Sequence, residues 1–135
     1  MRRDRDWARA RFAEARVARL ATVSAAGVPR LVPVVFAVAG DRLLSAVDHK
    51  PKTTPRLRRL DDIAANPAVS LLVDAYDEDW SQLWWARADG RARVHASYDV
   101  SPLVAKYPQY ADRPPAGPVV VVEVTRWSGW SATAG

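Results

Sequence analysis

The segment HKPKTTPRLRRL, residues 49–60, concentrates positive charge where an apolar run gives way to a predicted helix. Lys50 and Lys52 follow the apolar run, Thr53 adds a hydroxyl donor, and Thr54-Pro55 is a typical helix start. A helix start exposes unpaired backbone N–H groups and a partial positive charge. Charged and hydroxyl donors beside it can hold a phosphate through several charge-assisted hydrogen bonds. The spacing is therefore typical of an anion-binding turn.

A solvated loop is the second interpretation of the same segment. In that case the lysines face water, and Arg58 forms an ion pair with Asp62 one helical turn later. Basic loops are common on protein surfaces, so the spacing alone leaves both interpretations open.

Other chemistry-bearing side chains form no recognisable catalytic pattern. His49 and His95 are the only histidines and lie far apart, which argues against a metal site, and neither has a serine elbow to activate. We expect Asp61-Asp62 and the acidic run 77–79 to be exposed. No catalytic residue is nominated, and an enzyme of this kind would take its reactivity from a cofactor.

The composition predicts one cytoplasmic domain spanning residues 1–135. The chain is 49% hydrophobic and 26% charged, as in ordinary globular proteins, and has no cysteine for disulfides or thiolate metal sites. No apolar stretch reaches bilayer length, and MRRDRDWARARF lacks the apolar core of a signal peptide, so no membrane association is expected.

The net charge of +5 favours an anionic partner without naming one. A basic nucleic-acid-binding barrel is one candidate class. However, the basic residues cluster at one turn, and the tryptophans do not interleave with them along a strand. We therefore expect a small-molecule partner and no nucleic acid.

Alternating apolar residues and turn signals predict a mainly β protein. We expect a small antiparallel barrel with helices packed outside, and Pro33 at a bulge or sheet edge. The predicted helices span residues 4–15, 55–65 and part of 101–110. The predicted strands span 17–24, 28–38, 42–47, 68–76, 82–96 and a final run from 118, followed by a second short strand. The stretch 82–96 is either one long strand or a bulged pair of strands around Asp89-Gly90.

Six tryptophans are many for so short a chain. Trp84 and Trp85 are adjacent, so within a strand one must point into the barrel and the other outward. Packing is the ordinary role of tryptophan, but an outward side chain needs a ligand or a second subunit to cover it.

Several stretches together resemble the FMN-binding split-barrel family, which includes pyridoxamine 5'-phosphate oxidase. They are LATVSAAGVPRLVPVVFAV, HKPKTTPRLRRLDDIAANPAVSLLV and the closing strand with its RWSGWSA tail. Within that family, HKPKTTPRLRRLDDI, DEDWSQLWWARADGRARV and the final GWSA resemble the branch that uses coenzyme F420, a deazaflavin. The resemblance covers nearly the whole chain.

The resemblance implies a homodimer of six-stranded antiparallel split barrels with the cofactor in a groove at the dimer interface. It assigns the cofactor phosphate to Lys50, Lys52 and Thr53, with Arg56 as an addition. It places the ring against two neighbouring strands and takes further contacts from the second subunit. The corresponding residues are Val32, Pro33, Val34, Ser45, Ala46, Val47 and Asp48 for the ring, and Trp85 and Trp130 for the second subunit.

The implied activity is hydride transfer between F420 and an unidentified small molecule. Arg56, Arg58 and Arg59 continue the positive charge that the longer, more anionic deazaflavin would need. The alternatives are an FMN-dependent oxidase or reductase of the same fold and a flavin- or F420-binding protein without turnover. The chain lacks a clear arginine and histidine pair near its C-terminus, so vitamin B6 oxidation is not expected.

Overall fold

A computed structural model of the chain describes residues 1–47 and 58–134. In that part of the chain, no helix is both long and apolar enough to cross a membrane. The helices are α1 (Arg5–Glu14), α2 (Arg58–Ala65), α3 (Ser101–Lys106) and α4 (Pro108–Asp112), with a 3-10 turn at Trp80–Gln82. The strands are β1 (Arg2–Arg3), β2 (Ala18–Val23), β3 (Pro29–Val34), β4 (Ala37–Ala39), β5 (Arg42–Ala46), β6 (Ala68–Ala75), β7 (Trp84–His95) and β8 (Val119–Ser131).

The strands form one antiparallel sheet in the order β3-β2-β6-β7-β8-β5-β4, with β1 paired to β8. The two ends of this order, β3 and β4, are separated in sequence only by Val35 and Phe36. Three Cα steps span at most about 11 Å, so the sheet must curl until its two edges meet. The mainly β fold with peripheral helices is confirmed, and the barrel is split at residues 35–36.

The strand count differs from the predicted six, since the described residues form eight strands. One addition is the two-residue β1, and another arises because the predicted strand 28–38 is interrupted at Val35 and Phe36. Pro33 lies on β3, an end strand of the sheet, as its missing N–H donor predicts.

The predicted second strand after the closing run is wrong, because β8 continues unbroken to Ser131. Gly90 pairs with Val124 but Asp89 pairs with Arg126, so Thr125 is an extra residue on β8. This bulge reverses which side chains of β8 face the core. The reversal explains why the sequence pattern looks like two strands.

The main core fills the barrel, and α1 packs across β4, β7 and β8. Phe12 of α1 is fully buried, with its ring 5.7 Å from that of Phe36 and 5.4 Å from that of Trp127. A second apolar layer lies between α3 and the outer side of β4, β5 and β8, where Leu103 is fully buried.

Helix α2 is tied to the barrel by a buried carboxylate, Asp62, which is only 4% exposed. Asp62 forms an ion pair with Arg30 of β3 at 2.9 Å and accepts a hydrogen bond from the Thr22 hydroxyl of β2 at 2.9 Å. The expected exposure of Asp62 and its pairing with Arg58 are therefore wrong. Removing one partner of such a pair typically costs about 3–5 kcal/mol, so α2 is firmly placed.

Gly90 should tolerate no side chain at the bulge. A Cβ at this position would collide with the backbone carbonyl of Glu123, and neither strand can move without breaking the ladder. We expect Gly90→Ala to lower the free energy of unfolding by about 3 kcal/mol or more. Urea unfolding monitored by tryptophan fluorescence measures this loss.

Gly27 provides the matched control, because its φ of +83° strains any other residue while nothing lies within 4 Å of its Cβ position. Gly27→Ala should cost only about 1–2 kcal/mol. Equal losses in the two variants would contradict the close approach at the bulge.

Candidate functional site

The end of β3, the end of β5 and the start of α2 enclose a cavity of about 260 Å³, here called the β3–β5 cavity. Four residues that the resemblance assigned to the cofactor ring line it together. Within the described part of the chain, the lining consists of these four, Pro33, Val34, Ser45 and Ala46, with Val17, Val35 and Arg59.

Two other predicted ring residues, Val32 and Val47, are described and do not line this cavity. Val32 packs against the barrel core, and the Val47 N–H donates to the Pro118 carbonyl at 2.9 Å. The predicted positions Asp48, Lys50, Lys52, Thr53 and Arg56 lie outside the described residues.

Three residues of the lining, Val17, Val35 and Arg59, are absent from the predicted site, and of these Arg59 was expected only to add positive charge for the cofactor tail. Arg59 precedes the buried Ile63 by one helical turn, so helical periodicity places it on the face of α2 that turns to the barrel. Ala46 precedes the basic segment, residues 49–60, and Arg59 lies near the end of that segment. Both residues line the cavity, so the stretch of sequence that carries the basic segment meets the cavity at both of its ends.

Side chains from β5 and α3 fix the backbone beside the cavity. The Ser45 hydroxyl donates to the Val35 carbonyl at 2.8 Å. The Tyr107 hydroxyl accepts the Phe36 N–H at 3.2 Å and lies 2.9 Å from the carbonyl oxygens of Phe36 and Arg16. Arg16 and Phe36 adjoin Val17 and Val35 in the chain, so Tyr107 positions two walls of the cavity.

Lys106 reinforces this contact from the neighbouring position of α3. Its ammonium group donates to the Phe36 carbonyl at 3.0 Å and lies 3.9 Å from the centre of the Phe36 ring. Burial, and secondarily the positive charge of Arg16, lower the pKa of Lys106 to about 8. The charged form is therefore less favourable in the folded protein than in the unfolded chain.

The second cavity, of about 410 Å³, surrounds Trp85 and Trp130 and is here called the Trp85–Trp130 cleft. These two residues pair in register between β7 and β8 on the outer face of the sheet. Trp84 lies on the inner side and packs edge-on against Trp7 at 6.0 Å, which confirms the predicted opposite orientations. Five arginines also line the cleft, namely Arg2, Arg3, Arg5, Arg87 and Arg126.

Ser128 gives the Trp85–Trp130 cleft an unusual polar feature. Its hydroxyl is buried and has no hydrogen-bond partner among the described residues. A buried hydroxyl without a partner carries a desolvation cost that a ligand or second subunit can relieve. The cleft thus combines aromatic surface, positive charge and an unused hydroxyl.

The β3–β5 cavity and the Trp85–Trp130 cleft are separate within one chain. Pro33 lies on β3 and Trp85 on β7, three strands further along the sheet. At about 4.8 Å per strand, they are about 14 Å apart across the strands, and an offset of two residues along β7 adds to this separation. One chain therefore does not bring the predicted second-subunit residues onto its own cavity.

The family comparison covers nearly the whole chain. The model of a family described as pyridoxamine 5'-phosphate oxidase matches residues 5–131. The chain belongs to this family. No curated protein matches the chain.

Solved structures repeat the fold at low sequence identity. A FAD-binding protein from Mesorhizobium loti is 18% identical with a TM-score of 0.70, covering 96% of this chain and 95% of that one. The FAD-binding protein from Mycobacterium smegmatis is 19% identical with a TM-score of 0.65, covering 96% and 98%. A Listeria innocua protein, named as a candidate pyridoxamine 5'-phosphate oxidase, is 17% identical with a TM-score of 0.66, covering 91% and 94%. At these identities the likeness establishes the fold.

Stability should rise with pH between about 8 and 9.5 because of Lys106. Its pKa is about 8 when folded and near 10.5 when unfolded, so the unfolded chain binds more protons in this window. Below pH 8 the folded protein carries the full cost of burying the charged Lys106 side chain. This cost falls as the pH rises and the side chain loses its proton. Urea midpoints at pH 7.5 and 9.5 measure the rise, and Lys106→Met should abolish it.

Arg113→Met is the control, because Arg113 is an exposed cation at the end of α4. It should keep the rise of the parent protein. The upper limit of pH 9.5 avoids Tyr107, whose burial raises its pKa and gives the opposite slope at higher pH. A Lys106→Met protein with the parental rise would contradict this assignment.

Proposed function

We propose that the chain is an oxidoreductase that binds coenzyme F420 in the β3–β5 cavity and exchanges a hydride with a small molecule. The supporting observation is that Pro33, Val34, Ser45 and Ala46 converge on one cavity, which Arg59 also lines. Two FAD-binding proteins share the fold, which supports a flavin-like ligand.

The cavity fits part of such a cofactor. Pro33 and Val34 offer apolar surface to a ring, and Arg59 brings positive charge to the side nearest the basic segment. Its volume of about 260 Å³ is below the range of roughly 300–1,000 Å³ usual for whole ligands. The rest of the ligand would extend towards the basic segment and to walls supplied by another subunit.

Bound F420 would supply the hydride-transfer chemistry itself. Lys50, Lys52 and Thr53 would hold its phosphate, and the positive charges of Arg56, Arg58 and Arg59 would attract the anionic tail. The cavity walls fixed by Ser45 and Tyr107 would orient the ring and exclude water from one side of it. No residue is assigned as a proton donor.

An FMN-dependent oxidase or reductase is the second candidate, supported by the family match and by the neighbour named as a candidate pyridoxamine 5'-phosphate oxidase. FMN carries the same ring system and a phosphate but lacks the long anionic tail. Binding without turnover is the third possibility. The cofactor preference separates the first two candidates, and reduction of an acceptor separates either from the third.

A homodimer is part of the proposal because the outer face of the sheet leaves apolar side chains uncovered. Leu31 on β3 is 68% exposed and Leu72 on β6 is 37% exposed, with Pro33 on the same face. A second copy seated there would cover them and could bring its Trp85–Trp130 cleft to the first copy's β3–β5 cavity.

Replacing Lys50 and Lys52 together by alanine should weaken F420 binding by on the order of a hundredfold. Each charge-assisted hydrogen bond to a phosphate contributes roughly 1.5–3 kcal/mol, and the two are not fully additive. Quenching of tryptophan fluorescence during titration with F420, FMN and FAD measures the affinities. F420 should bind more tightly than FMN, and more so at low ionic strength.

Arg113→Ala is the control, since it removes an exposed positive charge from α4. It should bind F420 as the parent does. If the lysine variant melts normally and keeps its affinity, the phosphate site lies elsewhere. If FMN binds more tightly than F420, the assignment of F420 as the cofactor is wrong and FMN takes its place.

In solution the chain should have twice its monomer mass of 14.9 kDa at micromolar concentration. Leu31→Lys should shift the protein towards the monomer, because it places a charge on the proposed apolar contact. Val28→Lys is the control, since Val28 is also half exposed but lies in the turn before β3. Light scattering that returns a monomer for the parent protein would overturn the dimer.

A further inference from the structure

A third cavity, of about 390 Å³, lies on the outer side of β5, β7 and β8. It shares no lining residue with the β3–β5 cavity or the Trp85–Trp130 cleft. We call it the cationic cleft, and its lining is Arg42, Arg91, Arg93, His95, Tyr98, Val121 and Glu123.

Strand geometry gathers the positive charge on one face. Arg91, Arg93 and His95 occupy alternate positions of β7, so their side chains leave the sheet on the same side, about 7 Å apart. Glu123 of β8 pairs in register with Arg91 on one side and with Arg42 of β5 on the other. The cleft thus extends across three adjacent strands.

One rim of the cleft is held by direct contacts. Arg42 donates to the Glu123 carboxylate at 2.8 Å and to the Tyr98 hydroxyl at 3.0 Å. The ring of Tyr98 also lies 5.0 Å from the ring of His95. These contacts fix the Arg42 guanidinium and hold Tyr98 between it and His95.

The lining of the cationic cleft carries more positive than negative charge. Three arginines face the single carboxylate of Glu123, and Glu123 is already paired with Arg42. Arg91 and Arg93 form no ion pair with any residue in ranges 1–47 and 58–134. Two guanidinium groups at this spacing suit the oxygens of a phosphate or diphosphate, which arginine binds in a bidentate manner.

We propose that the cationic cleft is a binding site for a small phosphorylated molecule. Arg91 and Arg93 hold its phosphate or diphosphate group, and Arg42 approaches from the opposite rim. The buried Val121 and the ring of Tyr98 provide apolar surface for the part of the molecule next to that group. The site is independent of the cofactor proposed for the β3–β5 cavity.

Titration with inorganic pyrophosphate followed by NMR tests the site. Pyrophosphate should cause saturable shifts of the backbone amides at residues 91–95 and 121–123. Arg91→Gln/Arg93→Gln should weaken this binding at least tenfold, since both exposed guanidinium groups are lost. Arg93→Gln alone should give an intermediate loss, which keeps the test valid if the double variant unfolds.

Two further variants separate this site from other sources of anion binding. Arg113→Gln, which removes an exposed arginine outside the cleft, should bind pyrophosphate as the parent does. Lys50→Ala/Lys52→Ala should also leave the shifts at residues 91–95 unchanged, whatever its effect on F420. Shifts that stay linear with concentration, that miss both ranges, or that persist in Arg91→Gln/Arg93→Gln would overturn the proposal.

Discussion

The barrel depends on closure of the sheet at residues 35–36. The hydroxyl of Tyr107 makes the hydrogen bonds that this closure requires. Where β3 stops and β4 begins, the fully buried Phe36 leaves the strand ladder, and its backbone N–H and carbonyl need other partners. Tyr107 accepts the N–H, and the carbonyl is contacted by both Tyr107 and Lys106. The split in the barrel is thus stabilised by side chains of α3.

The same contacts shape the candidate site. Ser45 binds the Val35 carbonyl from inside the barrel, while Tyr107 binds Phe36 and Arg16 from outside it. Val17 and Val35 are held between these two sets of contacts and face the β3–β5 cavity. The geometry of the cavity therefore follows from closing the barrel.

Local patterns predict the helices and most strands because alternation and capping are local properties of the chain. They fail at Val35 and Phe36, which have the sequence pattern of a strand interior. The strand is interrupted there because Tyr107, 71 residues later in the sequence, provides other hydrogen bonds to Phe36. They also fail at Asp62, whose burial depends on Arg30 and Thr22 from two other strands. The cavity-lining residues Pro33 and Ser45 could be named by resemblance, whereas the cationic cleft needed the register of three strands.

The bulge at Thr125 decides which chemistry the outer face of β8 presents. Before it, Val120, Val122 and Val124 face the barrel, and after it the inward positions are Trp127, Gly129 and Ser131. Without the extra residue the parity would continue, and Arg126, Ser128 and Trp130 would point into the core. An arginine there would be a buried unpaired charge, at a cost far above that of the bulge. Because of the bulge, β8 places residues in the core along its whole length. The outer face of its second half places aromatic and basic side chains beside Trp85.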